Sequence, residues 1–220
     1  MGPMPDALPD AVLDAGFFTS WIVEAARLVR AEKDRLTRLD TAIGDGDHGT
    51  NLDRGLSAAA AALAERRPAV PGAVLALAGS TLIRKVGGAS GPLYGTALRE
   101  AGRTLGESPE VSPAELARAL RAAVDGVRSL GSAAEGDKTM VDALAPAAGA
   151  LARAVQEGLD LPAALEAAAS AAGAGARATV PLEARKGRAS YLGPRSAGHE
   201  DPGAASSALL LRALHTVATR

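Results

Sequence analysis

Bulk is what this chain lacks. Of its 220 residues 52 are alanine, and its aromatic side chains amount to two Phe, two Tyr and one Trp. A chain so poor in aromatic and β-branched residues offers no convincing alternation of apolar and polar positions for a half-buried strand, whereas alanine is the best helix former. Small side chains also let helix axes approach closely. The expectation is an all-α fold of tightly packed helices. Apolar spacing agrees: Leu13, Phe17 and Trp21 recur every four residues, with Phe18, Ile22, Ala25 and Val29 widening the face. That pattern predicts a first helix over roughly 10 to 35. Further helices are expected near 49–66, 72–85, 91–105, 113–130, 138–157, 162–177 and 202–219, eight in all. Ser112-Pro113-Ala114-Glu115 reads as a capping box with Pro in the first turn, and Asp201-Pro202 repeats the order of cap then Pro.

The length suits one domain over residues 1–220. Lys and Arg total 24 against 25 Asp and Glu, so no basic excess points to nucleic acid or an anionic membrane. With no cysteine, thiol nucleophiles, disulfides, zinc–thiolate sites and iron–sulfur clusters are excluded, and any metal must sit on oxygen or imidazole. The segment Met1 to Asp6 lacks the basic start and apolar core of a signal peptide, and Asp6 spoils a myristoylation pattern. Apolar stretches break well before the roughly 20 residues of a membrane span. A cytoplasmic protein is expected. The sequence leaves a homodimer open.

The unusual residues fall in four places. Gly44-Asp45-Gly46-Asp47-His48-Gly49-Thr50-Asn51 precedes the second helix, Gly87-Gly88-Ala89-Ser90-Gly91-Pro92 the fourth, Gly136-Asp137-Lys138-Thr139 the sixth and Asp201-Pro202-Gly203 the eighth. If consecutive helices run up and down, the even-numbered ones start at one end of the bundle and the four segments converge there. Several helix N-termini would then offer free backbone N–H groups and positive dipole ends, a natural setting for phosphate. A long irregular stretch, about 178–201, is expected beside it and contains Arg185, Lys186, Arg188, Arg195 and His199.

Asp40, Asp45 and Asp47 lie within eight residues, and the glycines between them allow all three carboxylates to meet. Three acids forced together repel unless a cation neutralises them, and Mg²⁺ binds through a few carboxylates while leaving room for phosphate oxygens. The plainer alternative is an acidic turn capping the second helix. An EF-hand is disfavoured, because counting from Asp45 puts Gly49 at the fifth position and Leu56 where Glu belongs. The run Gly131 to Thr139 imitates a P-loop, but Asp137 intrudes between Gly and Lys and no strand comes before it. Gly173 to Ala178 matches a dinucleotide fingerprint only by chance, being set in an Ala-rich helix. His48 is embedded in the acidic loop, His215 reads as structural and His199 as undecided. Arg188 and Arg195 are candidates for phosphate oxygens, while Arg185 and Lys186 can equally be solvated loop residues. No paired general acid and base stands out, so the chemistry read here is positioning plus metal charge neutralisation, as phosphoryl transfer requires.

Taken in order, Leu39 to Asn51, Gly87 to Gly95, Gly136 to Leu144, Gly187 to Gly193 and Arg195 to Ala204 resemble the nucleotide-binding L subunits of dihydroxyacetone kinases over almost the whole chain. The resemblance implies an eight-helix antiparallel up-and-down barrel with ADP or ATP and two Mg²⁺ ions at one end. It makes Asp40, Asp45 and Asp47 the metal ligands. His48, Gly49, Thr50 and Asn51 would line the nucleotide, Ala89 and Ser90 would bind its phosphates, and Gly131 and Met140 would flank the base. Arg188 and Asp201, Pro202 and Gly203 would complete the pocket. Leu52 and several alanines stand where the family carries larger apolar residues. The implied activity is transfer of the terminal phosphoryl group to dihydroxyacetone held on a separate K subunit, with a phosphotransferase-system M subunit recharging bound ADP. An exchangeable ATP-dependent kinase for dihydroxyacetone or another small ketose, and an ADP-binding regulatory module acting through a transcription factor, are the alternatives.

Overall fold

Among the described residues there are eight α-helices, in the order the apolar periodicity predicts: α1 Ala15–Ile43, α2 His48–Arg66, α3 Pro71–Lys85, α4 Ser90–Leu105, α5 Pro113–Gly131, α6 Val141–Gln156, α7 Leu161–Ala178 and α8 Pro202–Ala218. The computed structural model describes residues 12 to 220. The segment Met1 to Asp6, and the first residues of the predicted first helix, lie outside the described residues. Each helix packs against the one before and the one after it, and α8 returns to α1, so the eight close into a ring. Among the described residues no helix is long and apolar enough to cross a membrane.

Local chemistry sets the boundaries. Asp14 caps α1 by accepting the Phe17 amide at 2.8 Å. The predicted capping box of α5 is present, with Ser112 and Glu115 bonding reciprocally. Asp160 and Asp201 cap α7 and α8 by accepting the amides of Ala163 and Ala204. Two boundaries differ from expectation. Helix α1 continues past residue 35 to Ile43, because Leu36, Asp40 and Ile43 carry the buried face on beyond the charged run. Helix α6 starts at Val141 rather than near 138, since Lys138 adopts φ +62° and Asp142 draws the amides of Gly136 and Thr139 to its carboxylate. A two-residue antiparallel pair also escapes the composition argument: Leu13 and Asp14 (β1) lie against Val111 and Glu110 (β2), tying the start of α1 to the α4–α5 connection.

The core follows the scarcity of bulk. Phe17, Phe18 and Trp21 supply the large side chains, the Trp21 indole donating to the Leu210 carbonyl at 2.8 Å across the α1–α8 seam. Elsewhere Leu, Val and Ala fill the interior. Glu24, buried on the same seam, is neutralised by Arg27 at 2.7 Å and Arg220 at 2.8 Å, which hold its carboxyl below the usual range against the opposing effect of burial. Between α3 and α4 the backbones nearly touch: a Cβ on Gly79 would sit 2.6 Å from the Gly95 carbonyl oxygen, and one on Gly95 would sit 2.7 Å from that of Gly79.

That seam yields a test. Gly79→Ala relieves a helix-interior glycine but forces α3 away from α4, so overpacking outweighs propensity and a net loss of about 1 kcal/mol is expected. Urea unfolding followed by circular dichroism measures it; a gain in stability would show that the seam yields freely.

Candidate functional site

The segments preceding α2, α4, α6 and α8 converge, as up-and-down helices require, on one cavity of about 320 Å³. That is the size of an ordinary small-molecule site. Its walls combine the C-terminal ends of α1 and α5, the first turns of α4 and α8, and the loops 44–47, 87–89, 138–140 and 186–189. One flank is acidic, Lys186 and Arg188 join the lining with Arg188 against Asp45, and Leu93, Val127, Met140 and Val141 give an apolar wall.

Asp40, Asp45 and Asp47 form the acidic flank, with one carboxylate oxygen of each lying within 4.8 Å of the others. The two readings of these acids turn out to be compatible. Asp40 is buried and its Oδ2 accepts the amides of Asp47 at 2.8 Å and His48 at 3.1 Å, so the last turn of α1 caps α2. Asp47 occupies the N-cap position but makes no capping bond of its own, which leaves its carboxylate available. Asp45 is paired with Arg188 at 2.9 Å. Gly44 sits so close on the Asp40 carboxylate that a side chain there would collide with it, and Gly46 turns the loop at φ +75°. An all-oxygen donor set of this kind suits a hard divalent ion.

Behind the acids runs a buried polar chain. The His48 Nδ1 lies 3.1 Å from Ser90 Oγ and its Nε2 2.8 Å from Ser206 Oγ. Ser206 donates to the Pro202 carbonyl at 2.9 Å and is 2.6 Å from the Tyr94 hydroxyl, itself 2.9 Å from Ser207. With the Ser206 proton directed to Pro202, the network assigns Nε2–H to His48 as donor and leaves Nδ1 to accept from Ser90. Burial pushes the imidazole below its ordinary value, against the pull of Asp40 and Asp47. Burial likewise raises the Tyr94 phenol to about 12.

Lys138 is the functional-site residue that sequence reasoning left without a role. Only 1% exposed, it donates its ammonium to the carbonyls of Thr179 at 2.7 Å, Val180 at 3.5 Å and His199. Burial lowers its pKa, opposed by Asp201 and Asp142. Asp201, also buried, caps α8 through Ala204 at 2.7 Å, while its own amide bonds Thr179 Oγ1 at 2.9 Å. Burial lifts the Asp201 carboxyl from 3.8 to about 7. The signal for Lys138 was a cation flanked by glycine and threonine at a helix start, the run that imitates a P-loop. Its ammonium is held by main-chain carbonyls, in keeping with rejection of that motif.

Of the expected site residues, Asp40, Asp45, Asp47, His48, Ala89, Ser90, Gly131, Met140, Arg188, Asp201, Pro202 and Gly203 all line the cavity. Gly49, Thr50 and Asn51 do not. Gly49 lies against the α1 backbone at Lys33 and Thr37, and Thr50 is exposed. Asn51 supports the 87–90 turn from beneath, where a Cβ on Gly87 would meet its amide at 2.9 Å. The loop cations also divide differently from expectation: Lys186 joins Arg188 in the lining, while Arg195 and Arg185 stay outside it. His199 contributes its carbonyl, and His215 pairs with Glu166 at 3.0 Å on the outside of the ring. The stretch predicted as irregular contains a 3₁₀ helix, Arg188–Ser196, broken by Gly193 at φ +55°. The chance fingerprint at Gly173 to Ala178 is helical throughout, within α7.

The family model of the DAK2 domain matches residues 42–216. The ADP-binding subunit DhaL of the PEP-dependent dihydroxyacetone kinase of Escherichia coli strain K12 is 42% identical over 199 residues, 89% of this chain and 93% of that protein. The D-erythrulose kinase of Mycolicibacterium smegmatis is 43% identical over 190 residues, which are 86% of this chain but 33% of that protein. Among solved structures, the dihydroxyacetone kinase of C. freundii in complex with AMP-PNP and Mg²⁺ superposes with a TM-score of 0.72 at 25% identity. The match covers 98% of this chain and 36% of that one.

The raised Asp201 carboxyl makes a pH prediction. Its folded pKa of about 7 lies above the ordinary 3.8, so the folded state binds this proton more tightly than the unfolded one and stability falls as pH rises through that interval. Asn caps helices as well as Asp does and cannot ionise. Asp201→Asn is expected to flatten that part of the stability profile in urea unfolding; parallel profiles for the two proteins would refute the shift.

Proposed function

The chain belongs to the DAK2-domain family, whose named members are kinase-type phosphotransferases and their subunits, and on that premise we propose that it is the nucleotide-binding subunit of a cytoplasmic dihydroxyacetone kinase. It would hold ADP or ATP with two Mg²⁺ ions in the cavity and pass the terminal phosphoryl group to dihydroxyacetone carried by a separate K subunit. The observation that carries this reading is the meeting of three carboxylates, one of them uncommitted, with the N-terminal turns of α4 and α8 around one cavity.

Asp40, Asp45 and Asp47 are the residues that would hold the metal, and Mg²⁺ bound there would neutralise charge on phosphate oxygens. The free amides at Ala89 and Ser90, at the positive end of α4, would receive phosphate oxygens, with Arg188 reaching them from beside Asp45. His48 holds the Ser90 side chain in place from behind. Leu93, Val127, Gly131 and Met140 offer the wall for the base. Pro202 and Gly203 close the floor under the Asp201 cap, while Gly49 and Asn51 act from outside by seating α2 on α1 and supporting the 87–90 turn.

No imidazole in the cavity is free to act as base for the acceptor hydroxyl. His48 has the one imidazole in the lining, and serine hydroxyls lie against both its ring nitrogens. In this reading acceptor activation is the work of the K subunit, and this chain supplies a positioned, charge-neutralised donor. The relatives named PEP-dependent and PTS-dependent support recharging of bound ADP by an M subunit. A second reading, exchangeable ATP with a small ketose such as erythrulose as acceptor, is favoured by the relative that spends only a third of its length on this region.

Mass spectrometry of nucleotide and metal released after exhaustive desalting separates these readings. Near-stoichiometric ADP with magnesium supports the captive cofactor, an empty protein that binds added ATP supports exchange, and a protein that binds neither nucleotide with Mg²⁺ overturns the assignment. Asp45→Ala and Asp47→Ala are expected to lower transfer by at least about 100-fold while the helical spectrum is unchanged, because the acids act on charge at the cavity mouth; normal turnover in either variant would remove the proposed role.

A further inference from the structure

Lys138 is the buried cation that the phosphotransferase reading leaves unused. It lines the cavity, yet its ammonium is committed: three N–H donors meet the carbonyls of Thr179, Val180 and His199, so none remains for a phosphate oxygen. Its backbone is held in the left-handed region at φ +62°, a conformation that a residue with a side chain keeps only where its surroundings over-determine it. A strained backbone carrying a buried cation is an expensive arrangement, and what it secures is the position of the loop between α7 and α8.

That loop carries Arg188. Both its ends are gathered on the Lys138 ammonium, and the residue before Lys138 adds a further tie, the Asp137 carbonyl accepting the Arg185 amide at 3.0 Å. Between these ties the loop is stiffened by its own bonds. Ser196, fully buried, accepts the Ala184 amide at 2.8 Å and donates to the Gly193 carbonyl at 2.7 Å, and the Gly198 amide donates to the Val180 carbonyl at 2.7 Å. A stiff loop moves as a unit, so a shift at its base is carried to its tip. The Arg188 side chain is 71% exposed and pairs with Asp45 at 2.9 Å; apart from that pair, its position is inherited from the loop.

We propose that Lys138 is a positioning residue for phosphoryl transfer: by tying the α5–α6 connection to both ends of the 179–201 loop it sets where the Arg188 guanidinium stands, and it acts on the reaction only through Arg188. The inference rests on the phosphotransferase reading above, in which Arg188 meets phosphate oxygens from beside Asp45. The three acids, the amides at Ala89 and Ser90 and the apolar wall all lie outside this loop, so nucleotide binding does not depend on Lys138. Transfer does, because charge on the moving phosphoryl group must be met at a fixed point, and a displacement of about 1 Å in a group that stabilises it costs on the order of 100-fold in rate.

The test uses the full chain loaded with ATP and Mg²⁺, its cognate K subunit and dihydroxyacetone, in single turnover. Lys138→Met keeps the length of the side chain without its charge and is expected to slow transfer by about 30-fold to 100-fold, while ADP affinity measured by calorimetry stays within about threefold. Combined with Arg188→Ala, it is expected to add less than about twofold to the loss that Arg188→Ala causes alone, since both remove one function. Trypsin, which cuts after Arg185, Lys186 and Arg188, is expected to open the loop of Lys138→Met at least about tenfold faster than that of the unmodified chain, with the helical spectrum retained. Should Lys138→Met fail to fold, Thr179→Val, which removes the hydroxyl that receives the Asp201 amide, is expected to carry the same signature at about threefold to tenfold. Losses that multiply in the double variant overturn the route through Arg188. An unchanged rate, a loop no easier to cut, or a parallel loss of ADP affinity, which would make the ammonium a nucleotide ligand, overturns the positioning role; each of these leaves the phosphotransferase reading standing. An unmodified chain that binds ADP yet transfers nothing in the presence of the K subunit brings down that reading, and this inference with it.

Discussion

The Lys138 ammonium holds the functional end of the molecule together. Three carbonyls converge on it, two from just past the end of α7 and one from His199, two residues before the α8 cap, so a single side chain on the α5–α6 loop gathers both ends of the 179–201 loop. A buried cation is tolerable only where its donors are satisfied and a counter-charge is near, and here the carbonyls and Asp201 provide both. The dependence is mutual. Asp201 caps α8 and receives Lys138's field, while its amide is fixed by Thr179, whose own carbonyl is a Lys138 partner. That knot and the Asp45–Arg188 pair together set where the loop carrying Lys186 and Arg188 lies beside the acids.

The cavity is thereby built as two opposed charges on a neutral frame. Acids enter from the α1–α2 turn, cations from the loop before α8, and the Asp45–Arg188 pair joins them across the mouth. Beneath them the polar chain from Ser90 through His48 to Ser206 and Tyr94 links the first turns of α2, α4 and α8. Those helices consequently cannot shift independently, and each group at the mouth inherits its position from hydrogen bonds in the interior rather than from the loops alone.

Much of this could be read from the amino acids. The helix count and the convergence of four segments followed from periodicity and from the alternation of up and down helices, because both depend on local pattern and chain order. The cluster of Asp40, Asp45 and Asp47 was visible for the same reason: its members are neighbours in sequence. What escaped depends on distance along the chain. Lys138 acquires its meaning from carbonyls 41 to 61 residues away, and Tyr94 from Ser206 and Ser207 more than a hundred residues away. Asn51 was placed in the lining by the motif it belongs to, yet three residues of helix beyond His48 carry it behind the 87–90 loop. The β1–β2 pair is too short for any period to announce it.

A ring of helices has one joint that chain connectivity does not make, and here it is the contact of α8 with α1. The only indole in the molecule crosses that joint, hydrogen-bonded to the Leu210 carbonyl and packed edge-on against Phe18. Its emission should therefore report whether the barrel is shut, from a position remote in sequence from every acid and cation at the cavity, giving a native optical gauge of closure that requires no label.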